Sequence, residues 1–479
     1  MASTLGNLFW KFAERTASQL VSFVVSIILA RLLNPSDYGA IGMVMVFVSL
    51  ANVFVEGGFS SALIQKKDAD KLDFSTVFYF SIAFSVFLYG ILYFAAPSIA
   101  HFYGKGYEIL TPVLRVIGLQ VIVYGVNSVQ QAYVSRMMMF KKFFWSTLVG
   151  TILSACVGLT MAYSGYGIWA LVGQQMSMVV TNTVVLSLVT HKMPGLMFSF
   201  QRLKGLFSYG AKILGASLLV SFFLDLRSLI IGKLYSSKDL AFFERGRQFP
   251  NLIVTNINSS VGAVMFPKMS QEQDNKSRIK QTCRNSIRFS SFFMMPLMMG
   301  LAACADPIVR ILLTDKWIEC VPYLQLFCIV YMFYPMHTAN MQAIKAIGES
   351  GTFLVLEIIK KTLELISLLL VMRISVAAIA INMAVLTTLF TFINAYPNIK
   401  FLDYSFKEQM SDIFPPIFMS LAMSICVFFI GKIPWPTIPL LITQVIVGAS
   451  IYIALAYLTN NQEMKLISNL FLSRFHRAS

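Results

Sequence analysis

The chain is a run of about fourteen apolar segments, each near the length that crosses a bilayer, and this constrains its fold more than any other feature. A helix needs roughly 20 apolar residues to span about 30 Å of hydrocarbon. The segments fall at 16–30, 39–63, 75–96, 113–134, 144–163, 167–189, 208–230, 248–266, 287–305, 320–341, 352–372, 375–395, 413–431 and 438–458. The first is short and begins as an amphipathic stretch with Lys11, Glu14 and Arg15. The break between 372 and 375 is weak, so the tally stands at thirteen or fourteen. Backbone groups in lipid must bond within their own segment, which selects helices. Membrane strands are alternating segments of about ten residues, unlike these runs. Only 13% of residues are charged and 57% are hydrophobic, against roughly 25% charged in a soluble domain. The fold class is all-α and multi-pass.

Arg31-Leu32-Leu33-Asn34-Pro35 follows the first apolar segment where a signal peptide would have a small-residue cleavage site, so the start reads as mature protein. Cys156, Cys283, Cys304, Cys320, Cys328 and Cys426 have no metal-ligand spacing and read as small core hydrophobes. The four His are equally scattered. No Walker or Rossmann glycine pattern is present, and no hydrophilic stretch is long enough for an ATPase. No cofactor is expected, and any pumping would use a proton or sodium gradient, a partner, or the substrate's own gradient.

The formal charge of +16 is mostly a topology signal. Basic residues collect in alternate loops, among them Lys66, Lys67, Arg136, Lys141, Lys142, Arg202, Lys204, Lys268, Arg278 and Lys280. The positive-inside rule puts those loops and both termini in the cytoplasm. The surplus also draws anionic headgroups, and no nucleic-acid module accompanies it. One loop resists: Lys233, Lys238, Arg245 and Arg247 fall on the opposite side. Either the topology fails there or those charges line the protein interior.

The second half echoes the first. At an offset of 202 residues Asp37 meets Asp239 and Lys66 meets Lys268; at 210, Pro112-Val113-Leu114 meets Pro322-Tyr323-Leu324. Six spans per copy is an even number, so both copies enter from the same side. The expected domains are an N-terminal six-helix bundle (1–204), a parallel six-helix bundle (205–398), and two further helices with a tail (399–479). Parallel repeats occur in secondary transporters that alternate access by moving one half against the other. The competing reading is duplication for structural economy alone.

Ionisable groups inside a membrane usually face a protein interior or a water-filled cavity. Asp225 and Arg227 lie inside the seventh span, Glu56 in the second, Arg115 at the start of the fourth and Arg247 near the eighth. Arg227 is the deepest of the arginines. Asp225 is either its internal partner through a neighbouring helix or a proton or cation site. Glu357, Lys360 and Glu364 share one face of the eleventh span and can neutralise one another. Asn127 and Gln130 in the fourth span correspond at offset 210 to His337 and Asn340 in the tenth. They are candidates to bind sugar, with helix–helix hydrogen bonding as the alternative. The basic excess suits an anionic substrate, and an arginine fork suits a diphosphate.

The opening Phe12-Ala13-Glu14-Arg15, then Gln19 through Leu29-Ala30-Arg31-Leu32-Leu33-Asn34-Pro35-Ser36-Asp37-Tyr38-Gly39, resembles the polysaccharide transporter branch of the multidrug/oligosaccharidyl-lipid/polysaccharide exporter superfamily. Gly57-Gly58-Phe59-Ser60-Ser61-Ala62-Leu63-Ile64-Gln65-Lys66-Lys67 and Asp73 to Phe78 are similar to its colanic-acid-exporter-like subgroup. The resemblance implies a bacterial inner-membrane flippase, not an enzyme. Its cargo would be undecaprenyl-diphosphate-linked oligosaccharide repeat units for exopolysaccharide, capsule or O-antigen synthesis. The basic cavity typical of the family maps by location onto Arg15, Arg227 and Arg247, with Arg115 as a further candidate. Asp225 or Glu56 would carry any proton or sodium coupling. Implied partners are the lipid-linked oligosaccharide, a polysaccharide polymerase and a chain-length regulator, around a monomeric transport unit. The alternatives are a lipid II flippase, a cation-coupled drug exporter of the same superfamily, and a membrane-embedded glycosyl- or acyltransferase.

Overall fold

A computed structural model describes residues 2–466 apart from 57, 67, 191–194 and 273–274, together with 468. Within these, only the backbone is described for 2–9, 11–15, 208–209, 212, 260, 263–264, 266 and 350. The described chain is helical. Its elements are α1 (Ala2–Leu32), α2 (Pro35–Glu56), α3 (Phe59–Gln65), α4 (Lys71–Tyr103), α5 (Leu110–Arg136), α6 (Phe140–Tyr163), α7 (Ile168–Thr190), α8 (Phe200–Leu234) and α9 (Ser237–Gln271). There follow α10 (Lys276–Ala303), α11 (Ala305–Leu313), a 3-10 turn (Asp315–Cys320), α12 (Val321–Met332), α13 (Tyr334–Ala346), α14 (Ser350–Val371), α15 (Val376–Leu402), α16 (Phe406–Ile430) and α17 (Thr437–Leu458). They form two compact units, Met1–Ala241 and Phe242–Ser479, divided within the first turns of α9.

Among the described residues, eleven helical stretches are long and apolar enough to cross a membrane. Three of the fourteen expected spans are not among these eleven. In α1 the described side chains run continuously only from Thr16, and they form an apolar stretch, Thr16–Leu32. In α9, Asn251, Asn256 and Asn258 interrupt the apolar run, and α14 carries Glu357, Lys360, Lys361 and Glu364. The weak break near 372 is real: α14 stops at Val371, and the Ser375 side chain accepts from the Ala378 N–H to start α15. That cap satisfies a donor the helix itself leaves open.

In the first unit α4 packs along α5, α6 lies between α1 and α7, and α8 runs against α2, α3 and α4. Two close approaches fix α2. A Cβ on Gly39 would stand 1.6 Å from the Ser237 carbonyl oxygen. At the break between α2 and α3, Gly58 has φ +70°, and a Cβ there would stand 2.3 Å from the Gly210 carbonyl oxygen of α8. Only glycine meets both demands at Gly58. In the second unit α10 is central, packed by α12, α13 and α16, while α14 leans on α15 and α17 on α16.

The expected repeat has parallels in hydrogen bonds. Asp37 Oδ2 accepts from the Asn34 N–H at 3.2 Å, and 202 residues later Asp239 Oδ2 accepts from the Ser236 N–H at 3.1 Å. A second correspondence has an offset of 206: Ser199 caps the N–H of Arg202 to open α8, and Ser405 caps the N–H of Glu408 to open α16. The first turn of α16 therefore resembles that of α8, although the apolar pattern pointed to no counterpart for the last two helices. Each turn is tied to another helix of its own unit, α8 to α4 and α16 to α10. Arg202 reaches Asp70 and the buried Asp73 of α4 at 3.5 and 3.6 Å. Glu408 meets Lys280 of α10 at 3.0 Å, and Asp412 meets Arg284 at 2.7 Å. The polarity is reversed between the two.

Candidate functional site

The intramembrane charges of the first unit gather on α8 and α2. Asp225 and Arg227 are both half-buried on α8, two residues apart. Asp225 accepts a hydrogen bond from the Ser49 hydroxyl of α2. A carboxylate with a hydroxyl donor beside a guanidinium on the same helix gives this stretch both signs of charge inside a membrane span. Glu56 is exposed at the last position of α2, just before the Gly58 break. The Arg15 side chain lies outside the described residues. Arg115 is turned toward α4: its guanidinium lies 4.3 Å from the Tyr93 ring centroid, and its Nε donates to the Tyr93 carbonyl at 3.3 Å.

The cations that resisted the topology reading are engaged within the protein. Lys233 donates to the Phe102 carbonyl and lies 4.6 Å from that ring. Arg245 is buried, 5.0 Å from the Trp317 ring centroid, and donates to Gln248 Oε1 at 2.6 Å. Arg247 pairs with Glu244 one turn away at 2.5 Å. Desolvated cations on aromatic faces are held by the ring quadrupole. Of these three, Arg245 is withdrawn from water, while Lys233 is exposed.

Asn127, Gln130, His337 and Asn340 form two matching clasps. In the first unit Asn127 Nδ2 donates to Thr183 Oγ1 at 2.9 Å, and Gln130 Nε2 to Ser187 Oγ at 2.5 Å, joining α5 to α7. In the second unit Asn394 Nδ2 meets His337 Nδ1 at 2.7 Å, and Asn398 Nδ2 donates to Asn340 Oδ1 at 2.8 Å, joining α13 to α15. The partners correspond at an offset of 211 (Thr183 with Asn394, Ser187 with Asn398), one residue from that of the clasping residues. Asn340 also donates to Gln409 Oε1 on α16 at 2.9 Å. Each of the four thus makes a hydrogen bond to a neighbouring helix, while Asn127 Oδ1 accepts from Gln131 on its own helix and Gln130 Oε1 has no partner among the described residues. The Glu357–Lys360 pair closes at 2.6 Å, and a second pair, Lys361–Glu364, at 3.0 Å.

The ion-pair cluster at the start of α4 went unseen in the sequence. Lys66 Nζ binds the fully buried Asp73 at 2.6 Å, while Arg136 donates to the carbonyl of Leu63 at 2.8 Å. Its signal was the reciprocal cap between Asp70 and Asp73, three residues apart. Among the described residues no group of three or more His, Cys, Asp or Glu is arranged to hold a metal ion.

A family model described as "Polysaccharide biosynthesis protein" matches residues 28–322, more than half of the chain. The chain belongs to that family. Members and relatives agree with it in kind. The succinoglycan biosynthesis transport protein ExoT of Rhizobium meliloti is 23% identical over 72% of this chain and 69% of its own. The teichuronic acid biosynthesis protein TuaB of Bacillus subtilis is 22% identical over 71% of each. Among solved structures, the lipid II flippase MurJ in an inward closed conformation has a TM-score of 0.75 at 14% identity, covering 94% of this chain and 98% of that one. An inward-facing multidrug resistance MATE transporter of the MOP superfamily has a TM-score of 0.61 at 12% identity, covering 83% and 99%. This polysaccharide biosynthesis protein therefore has the fold of MOP-superfamily membrane transporters.

Proposed function

We propose that this polysaccharide biosynthesis protein is a flippase. It carries undecaprenyl-diphosphate-linked oligosaccharide repeat units from the cytoplasmic to the periplasmic leaflet of a bacterial inner membrane, with both termini cytoplasmic. The observation that carries the reading is the half-buried Arg227 inside a membrane span of a member of this family. A guanidinium offers paired donors that match phosphate oxygens, and a charge within a span is retained where a ligand or pathway needs it. Succinoglycan and teichuronic acid, named in two relatives, are sugar polymers. Arg115 and Arg247 add to the basic character, Arg15 is included by its place in the sequence, and Asn127, Gln130, His337 and Asn340 are the polar candidates for the sugars.

The step is noncovalent. Arg227 takes the diphosphate, the polyprenyl tail stays in lipid, and the site opens to one side and then the other. Asp225, with its Ser49 donor, or Glu56 would bind the proton or sodium ion if the step is coupled. The product would pass to a polysaccharide polymerase and a chain-length regulator. The test is reconstitution with a labelled polyprenyl-diphosphate oligosaccharide. Movement of the label across the bilayer with no covalent change is expected. A new covalent product would replace the reading with a transferase. Movement of lipid II alone, or of a cationic drug alone, would assign the chain to one of those transporter types.

A further inference from the structure

At the end of the bundle where α17 stops, a cavity of about 390 Å³ opens between α10, α16 and the turn after α17. Its one charged lining residue is Arg288 of α10, with Asn460, Asn461 and Gln462 on the turn and Phe414 and Phe418 of α16 below. We propose that this cavity seats the phosphodiester headgroup of a membrane phospholipid.

The argument begins with the arginine. Its Nε faces Glu463 Oε1 at 2.8 Å, and its side chain is only 21% exposed. Among the described residues its two Nη groups meet no acceptor within hydrogen-bond distance. A guanidinium so far removed from water needs partners for all its N–H groups, and a phosphate offers two oxygens at the spacing of the fork. The amides add donors. Asn461 Oδ1 is spent on the N–H groups of Glu463 and Met464, at 3.0 and 3.2 Å, which leaves Asn461 its amide hydrogens. The repeat gives a control. The N-caps Asp70 of α4 and Asn275 of α10 set an offset of 205, which brings Arg288 to the uncharged Ala83. The fold does not demand a cation at that position.

The apolar foot matches the same ligand. Phe414 and Phe418 are 65% and 59% exposed on a membrane-length helix, so lipid chains cover them. The turn Thr459–Gln462 follows immediately on α17, where a span leaves the hydrocarbon for the headgroup layer. Donors at headgroup depth above exposed aromatics describe a phospholipid with its phosphate on Arg288 and one chain along α16.

The test uses the full chain in detergent, stripped of lipid and titrated with phosphatidylglycerol, with diacylglycerol or with undecaprenyl diphosphate. Bound lipid is counted by native mass spectrometry, and stability is followed by thermal unfolding. Arg288→Lys preserves the pair with Glu463 and removes the fork. We expect saturable binding of phosphatidylglycerol, weakened about tenfold in Arg288→Lys, the size of one charge-assisted hydrogen bond. Its lipid-free unfolding temperature should not change. Equal binding of diacylglycerol, or phosphatidylglycerol binding indifferent to Arg288→Lys, would overturn the proposal. Binding of undecaprenyl diphosphate in place of phosphatidylglycerol would also overturn it, by making the cavity a substrate site. Should Arg288→Lys unfold, Phe418→Ala takes its place, with the same loss of phosphatidylglycerol binding expected and unchanged binding counting against the site.

Discussion

One amide nitrogen of Asn398 reaches both the side-chain and the main-chain oxygen of Asn340, at 2.8 and 3.2 Å, and both residues are fully buried. Asn340 in turn donates to Gln409. Three helices, α13, α15 and α16, thus meet at one side chain.

Asn340→Ala should strip partners from Asn398 and Gln409 together. Each buried group left open costs about 1–3 kcal/mol, so the variant should unfold well below the parent in a detergent melt. Asn127→Ala should cost less, because the Asn127 side chain ties α5 to one other helix, through Thr183 and Asn182, and not to two. Equal melts for both variants and the parent would mean the clasps contribute nothing.

Gly39→Ala should be far worse than its size suggests. The new methyl would fall 1.6 Å from the Ser237 carbonyl, so the backbone itself must shift. Gly90 on α4 is the control, since a methyl there would meet nothing within 4 Å. Gly90→Ala should be neutral or slightly stabilising, because alanine favours a helix over glycine by about 1 kcal/mol. Membrane level and melting temperature of the two variants decide this.

Arg227→Ala should abolish movement of the lipid-linked oligosaccharide at normal membrane level. Arg227→Lys should recover part of it, because lysine keeps the charge but lacks the fork. Unchanged transport in Arg227→Ala would remove the residue from the substrate path.

Asp73→Asn should loosen the start of α4. The carboxylate is fully buried against Lys66 at 2.6 Å, and replacing it leaves that cation short of a partner, at a cost of about 2 kcal/mol. Acid should act on the same end. The Asp73 N–H, and then the nearby Arg202, hold the Asp70 carboxyl below the usual aspartate range. A lowered value means the cap contributes above the ordinary range and is lost as pH falls through the lowered one, below about pH 4. Amide exchange at the first turn of α4 should rise there in the parent and not in Asp70→Asn.

Hydrophobic length alone made the all-helical membrane fold legible, and residues paired at the offsets of 202 and 210 make similar caps and clasps. The clasping residues Asn127, Gln130, His337 and Asn340 were also legible, because a polar side chain in an apolar run stands out. Helix–helix hydrogen bonding was one of the two roles weighed for them, but their partners were not legible: Thr183, Ser187, Asn394 and Asn398 lie more than fifty residues away on other helices, and no local spacing connects them. The surroundings of Lys233, Arg245 and Arg247 were not legible either: Lys233 is exposed beside Phe102, Arg245 is buried on Trp317, and Arg247 pairs with Glu244, contacts that no loop-charge count reveals. The kinship of α8 and α16 was hidden because it lies in two capping serines, Ser199 and Ser405, while the residues they cap differ in sign.

That difference in sign bears on how a duplicated chain keeps its copies apart. Two similar halves made one after the other risk exchanging their closing helices. Were α16 to settle on α4, Glu408 and Asp412 would confront Asp70 and Asp73; were α8 to settle on α10, Arg202 would confront Lys280 and Arg284. Each wrong match sets like charges face to face, a penalty that acts against the misassembled partner and not for the correct one. Arg202 and Glu408 would thereby distinguish α8 from α16 as each finds its neighbour.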